Sequence, residues 1–281
     1  MPISEFTNKT FNLLHRAFLE ESARQSYPPP WLWILWGVVF LLRLPSIHYS
    51  LDEDSIWCLI TKIDQPWIVT LGFKDPYTLN HIFNSVLAKI LIKAAGYHFV
   101  EFTYRVPCLL AGLLAMPLGY AVFSRIGGRL CGSFFSVEMA LLPTLLLFGT
   151  QPRGYMLLVL FTIWALGLTP GVAKRIYPVR LGLVYFLLAS CHGLGILNVI
   201  CFAVLGCFTG GITGTGEPKR LHALANGLLA LPAICYNIPM LLSMREVRKQ
   251  AAQTVDPGWV GSAQFIPKWV EYQFGSGINP L

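Results

Sequence analysis

The sequence predicts an all-α integral membrane protein of about seven transmembrane helices, with interfacial helices in a long first outer loop. Three observations predict it. Hydrophobic residues form 54% of the chain and charged residues 12%, with a mean hydropathy of +0.57, whereas soluble domains carry roughly 25% charge. Apolar runs of span length recur along the chain, bounded by Lys or Arg. The formal charge of +7 collects in short turns between runs, where the positive-inside bias puts cytoplasmic cations. That charge is therefore a topology signal and points to no nucleic acid. Seven cysteines have no metal-ligand spacing. All but Cys58 fall in apolar runs, where they pack as small hydrophobes, so neither a zinc site nor a disulfide framework is expected.

Three regions follow: an N-terminal amphipathic cytoplasmic segment (1–30), a seven-span core (31–244) whose outer loop is 48–105, and an outer-face C-terminal segment (245–281). In the first, Phe11, Leu14 and Phe18 share a helical face, and Pro28, Pro29 and Pro30 end the helix. Those thirty residues hold no compact apolar run, so a removable signal is not expected and the first span stays as an anchor. It covers about 31–47, with 18 uncharged residues between Arg24 and Arg43 and a tryptophan belt of Trp31, Trp33 and Trp36.

Asp52, Glu53 and Asp54 come next. Charge in the hydrocarbon costs roughly 3 kcal/mol or more per residue, so these acids belong to the interfacial or aqueous layer. Adjacent carboxylates repel, which can raise one pKa for acid–base work and leave another to hold a cation or a hydrogen bond. A solvated loop, with Asp54 capping the next helix, accounts for them equally. Within the outer loop Leu79, Ile82, Phe83, Val86, Leu87, Ile90 and Leu91 recur at helical spacing, opposite Asn80, His81, Asn84, Ser85 and Lys93. The spacing predicts an interfacial helix with its polar residues turned toward the site of Asp52.

The second span covers 106–124, 19 uncharged residues, and Arg125 to Arg129 make a basic turn. The third covers 130–149; Glu138 within it is expected to have a buried partner or to be protonated. Thr150 to Arg153 return the chain to the side of Asp52, and the fourth span, 154–173, is closed by Lys174, Arg175 and Arg180. The next 36 residues, 181–216, carry no Asp, Glu, Lys or Arg. They make two short spans if the chain breaks at Cys191–Gly195, and one long span otherwise. The seventh span covers 221–244 and holds Pro232 and Pro239. The absence of an internal repeat argues against an inverted-repeat transporter.

Several features now stand in one order. Asp52-Glu53 follows the first span and Asn80-His81 heads an interfacial helix. Tyr104-Arg105-Val106-Pro107 opens the second span, Gln151-Pro152-Arg153-Gly154-Tyr155 opens the fourth, and His192-Gly193 lies between two short ones. Over residues 31–245 this order resembles the polytopic membrane glycosyltransferases of the GT-C superfamily, the group of the protein O-mannosyltransferases and aminoarabinose transferases (glycosyltransferase family 39-like). The resemblance implies transfer of a sugar from a polyprenyl-phosphate donor to a lipid, glycan or protein acceptor, with inversion, at the outer membrane face. Asp52 would be the general base, with Glu53 beside it to orient the acceptor, bind a divalent cation or face water. Arg153 and Tyr155, helped by Arg105, would hold the donor phosphate, and Asn80, His81 and His192 would line the site. No cofactor is implied. The location implied is a bacterial inner membrane, multi-pass, with the site facing the periplasm or exterior. Relatives of this kind continue past residue 281 with further spans, so the chain reads as truncated relative to them or as a subunit working with a partner. Two readings of other classes stand beside this one: a transporter or lipid flippase using Glu138, and a non-catalytic membrane subunit with a GT-C-like core.

Overall fold

The computed structural model describes residues 27–45, 51, 53–74, 81–96, 100–169, 178–209 and 227–239, and all of their regular structure is helical. The expected N-terminal helix, the acidic turn's Asp52, Asn80, the basic 217–220 turn and the C-terminal segment lie outside these residues.

Helix α1 spans Pro30–Arg43, opened by a proline at its first position, where a missing N–H loses nothing. Its 14 residues are about 21 Å long, shorter than the span expected over 31–47. Leu32, Trp36 and Val39 form its buried stripe, and Arg43 at its end is 2% exposed. The Arg43 guanidinium fills the space that side chains at Gly112 and Gly149 would need.

The outer-loop region is a set of short helices. Helix α2 (Glu53–Cys58) runs into a π turn, Leu59–Ile63, closed by the Asp64 N–H donating to the Leu59 carbonyl at 2.8 Å. Because α2 begins at Glu53, Asp54 sits in its first turn and is not the residue before it, which corrects the expected cap. After α3 (Trp67–Thr70) comes α4 (Ile82–Ala95), stopped by Gly96 at φ 80°, a conformation that glycine adopts without strain. Asn84 and Ser85 on α4 are fully buried, whereas Ile90 is 50% exposed. The polar face looks into the protein and part of the apolar face looks out.

Helix α5 (Val100–Leu141, 42 residues) is folded in two at Gly127 and Gly128, the latter at φ 78°. Phe123 and Phe135 stack at 3.8 Å, and the Ser136 hydroxyl donates to the Met116 carbonyl at 3.3 Å. A side chain at Gly119 would meet the Phe135 ring. The two limbs, 100–126 and 129–141, therefore lie side by side, with Arg125 and Arg129 exposed at the bend. The Trp36 indole donates to the Ser136 hydroxyl at 2.9 Å and ties α1 to this hairpin. Glu138, expected to need a buried partner, is exposed on the second limb.

Helix α6 (Pro143–Thr150) and α7 (Tyr155–Leu168) meet at a bend of 114°. The uncharged 181–216 stretch contains two helices, α8 (Pro178–Cys191) and α9 (Gly193–Thr209), broken at His192. Gly195 packs so closely on α8 that a Cβ there would overlap the Leu188 carbonyl. Helix α10 (Gly227–Pro239) docks through the Tyr236 hydroxyl, which donates to the Leu71 carbonyl at 2.6 Å. The main core lies among α1, both limbs of α5, and α7 to α10. Among the described residues α5 alone is long and apolar enough to cross a membrane, and α6 with α7 would make a second if the bent pair is one span.

The glycine contacts predict a contrast. Gly195→Ala drives a methyl group into the backbone of Leu188 and is expected to destabilise by on the order of 2 kcal/mol. Gly37→Ala, with no atom within 4 Å, should be neutral or stabilising by up to about 1 kcal/mol. Thermal unfolding in detergent micelles distinguishes them, and equal midpoints for the two variants would contradict the tight α8–α9 turn.

Candidate functional site

Helix breaks define the site. A helix end in a dry interior leaves carbonyls without partners, and each must find a donor. Three chain segments meet where this problem is sharpest: the start of α4, the 151–154 turn between α6 and α7, and the break at His192.

The donors come from residues far apart in sequence. Arg105, 4% exposed on α5, donates from Nε to the Thr150 carbonyl at 3.2 Å and from a terminal nitrogen to the Glu101 carbonyl at 3.2 Å. Asn84 donates from Nδ2 to the Pro152 carbonyl at 3.1 Å, and the Cys108 thiol donates to the Arg153 carbonyl at 2.7 Å. His81 Nδ1 lies 3.0 Å from the Cys191 carbonyl. Gly154 is required here, since a Cβ would strike the Cys191 carbonyl and the His81 ring.

The two histidines are held as opposite tautomers. A carbonyl only accepts, so His81 carries its proton on Nδ1 and keeps a lone pair on Nε2. His192 Nδ1 accepts the Leu194 N–H at 3.0 Å, capping α9, so its proton is on Nε2. Their rings stack with centroids 5.2 Å apart. Tyr155 at the start of α7 closes the cluster, edge-on to His81 at 5.1 Å, 5.2 Å from His192, and backed by Phe148 at 5.0 Å.

Burial disfavours the cationic form of His81, and its pKa falls to about 4; His192 and Arg153 push it the same way, against the Cys191 carbonyl. Burial lowers His192 as well. Both rings are therefore neutral near pH 7. Arg153 is half-buried and its charge is felt at both His81 and Tyr104.

Of the residues expected from sequence, His81, Tyr155 and His192 touch one another and Arg153 is within electrostatic reach. Arg105 adjoins the same turn, and its bonds to the Thr150 and Glu101 carbonyls clamp the helix end. Asp52 and Asn80 lie outside the described residues, as does the Glu53 side chain. Sequence reasoning passed over Cys108 and Gly154 as site-forming residues, and gave Asn84 no role beyond the polar face of its helix. A buried amide on the polar side of an otherwise apolar helix was the available signal for Asn84; the thiol and the glycine gave none beyond the motif strings that contain them. Among the described residues no group of His, Cys, Asp and Glu is arranged to hold a metal ion. No protein family, curated protein or solved structure matches the chain.

His81 makes stability depend on pH with a definite sign. Its pKa is lower folded (about 4) than unfolded (6.5), so the unfolded chain takes up protons first. The full stability is present above pH 6.5 and is lost as pH falls toward 4, by roughly 3 kcal/mol in all. His81→Gln, which keeps a donor for the Cys191 carbonyl, should flatten most of that slope in thermal unfolding between pH 4 and 7. His192 should leave a smaller slope of the same sign. An unchanged slope in the variant would remove His81 from this role.

Proposed function

We propose that the chain is a multi-pass membrane glycosyltransferase of the GT-C kind, moving a sugar from a polyprenyl-phosphate donor to a lipid, glycan or protein acceptor at the outer face of a bacterial inner membrane. The observation that carries the reading is convergence. His81, Arg153, Tyr155 and His192 come from separate ordered motifs, at 81, 151–155 and 192, and they gather at one junction of helix breaks. A chance resemblance spread over the sequence has no reason to converge in space.

The exposed apolar surface supports a lipid surrounding. Leu110, Leu114 and Phe134 are 52%, 57% and 64% exposed, and Leu130 is 80% exposed, more apolar surface than a water-soluble monomer ordinarily presents. The covered polar face of α4 beside the exposed Ile90 is the reverse of a helix in water. The reversals at Gly127-Gly128 and His192 fall at two expected span boundaries, whereas the break at Leu142 falls inside the expected third span, 130–149.

In this reading Asp52 takes the proton from an acceptor hydroxyl or amine as that atom attacks the anomeric carbon. The bond from that carbon to the phosphate oxygen breaks on the opposite face, its electron pair leaves with the polyprenyl phosphate, and the centre inverts. The leaving phosphate needs no acid, but it does need cations and donors near it. The Arg153 guanidinium, the Tyr155 hydroxyl and the His192 Nε2–H have that chemistry. The His81 Nε2 lone pair suits a hydroxyl of the sugar, and Glu53, next to the base, suits orientation of the acceptor.

Transfer of radiolabelled sugar from a panel of polyprenyl-phosphate donors, in membranes containing the full chain, tests the reading. Asp52→Asn should lower transfer by roughly 10²- to 10⁴-fold while donor binding persists. Arg153→Gln should lower kcat/KM for the donor about 10- to 100-fold, the effect of losing a hydrogen bond to a charged group. Folded wild-type protein that neither transfers sugar from any donor nor binds one would overturn the proposal.

A further inference from the structure

A second polar site lies toward the other end of α4. A cavity of about 230 Å³ opens between the π turn and α4, with Asp64, Gln65, Lys89, Ile92 and Lys93 in its lining. Lys93 is 12 residues beyond His81, about 18 Å along a helix, so this cavity is separate from the histidine cluster.

Its walls are built for an anion. Lys89 is 3% exposed and donates to the Gln65 carbonyl and to the Thr70 hydroxyl, the latter at 3.0 Å. An ammonium has three donors, which leaves Lys89 one beyond these two bonds. Its nitrogen is 4.9 Å from the centroid of the Trp67 ring, and the Lys93 nitrogen is 5.5 Å from the same centroid. Lys93 has no hydrogen bond or ion pair among the described residues. Two ammonium groups thus share one indole and one cavity, and Asp64 is the carboxylate among its described lining residues. Burial first, then the charge of Lys93, disfavours the protonated form of Lys89, and Asp64 opposes both. An anion with several acceptor oxygens would relieve that repulsion and take up the remaining donors. Trp67 and Ile68, next in sequence after the lining residue Pro66, are 40% and 53% exposed, the pairing of indole, apolar side chain and lysine found at headgroup level.

We propose that this cavity binds a phosphate group, presented by an anionic lipid headgroup or as a free phosphate. The proposal goes beyond the glycosyl-transfer reading and does not depend on it. The full chain, purified in a neutral detergent, is offered phosphatidylglycerol and phosphatidylcholine, and the lipid retained is counted by native mass spectrometry. Inorganic phosphate is titrated separately, read as a rise in the unfolding midpoint. Lys93→Gln, at an exposed position that should not disturb folding, is compared with Lys74→Gln, an equal charge loss at an exposed residue outside the cavity lining.

A lipid ligand predicts preferential retention of phosphatidylglycerol, lowered roughly fivefold or more by Lys93→Gln and unchanged by Lys74→Gln. A free-phosphate ligand predicts no lipid preference, and a midpoint shift that Lys93→Gln removes and Lys74→Gln keeps. Equal losses in the two variants would reduce the effect to general surface charge and overturn the proposal. So would wild-type protein that responds to neither ligand, or a response that Lys93→Gln leaves intact.

Discussion

The architecture depends on how interrupted helices satisfy their backbone in an apolar interior. Each break leaves carbonyls that water would cover in a soluble protein, and an unpaired buried acceptor costs about 1–3 kcal/mol. Around the 151–154 turn the carbonyls of Thr150, Pro152 and Arg153 are taken by Arg105, Asn84 and Cys108, and the Cys191 carbonyl by His81. These donors come from α4, α5 and the residue preceding α4. The same bonds therefore fix where α4 lies against the hairpin of α5 and against the α8–α9 break. Gly154 completes the arrangement, because any side chain there would push the turn away from Cys191 and His81. Removing one donor would thus disturb the packing of several elements at once.

That constraint also sorts structural from chemical capacity in the residues gathered there. Arg105 and Asn84 each spend donors on the backbone of these helix ends. His81 spends one nitrogen and keeps the other, and His192 does the same with the opposite tautomer. The Tyr155 ring is fixed by three aromatic neighbours, and the Arg153 backbone is pinned while its side chain reaches toward the cluster. The rings leave one lone pair on His81, one ring N–H on His192 and the phenol of Tyr155. On the glycosyl-transfer reading, such groups, positioned in advance, would stabilise charge without reorganising.

Much of this was legible in the sequence, and the limits have physical causes. The break within 181–216 was marked by His192-Gly193-Leu194-Gly195, and the reversal in α5 by Gly127-Gly128 between arginines, because glycine and charge are rare in apolar runs. The α4 periodicity also showed in the sequence. The pattern could not show the environment of Lys89, which depends on the Gln65 carbonyl and Thr70 reaching it from a separate segment. Nor could it show that Cys108 is a donor to the Arg153 carbonyl, since a thiol in an apolar run reads as a small hydrophobe. Arg43 was placed by sequence at a span boundary, yet two glycines from distant helices, Gly112 and Gly149, make room for it inside. Contacts between residues tens of positions apart leave no periodic trace.

The electrostatics of the cluster bear on how an anion would be held there. Desolvation is the largest influence on His81, and the cationic field of Arg153 is the smallest of those that lower it. A phosphate beside Arg153 would offset that contribution and add its own field, raising the pKa of His81 from about 4 against the desolvation. Without an anion, desolvation keeps His81 neutral near pH 7. The Nε2 of the neutral ring is an acceptor, and Arg153 offers an anion positive charge, with neutral donors from Tyr155 and His192. If the glycosyl-transfer reading holds, two tasks separate by position: Arg153 would attract the phosphate, while the histidine pair would present uncharged hydrogen-bonding groups beside it. On the glycosyl-transfer reading this division suits a donor whose phosphate is charged and whose sugar is not.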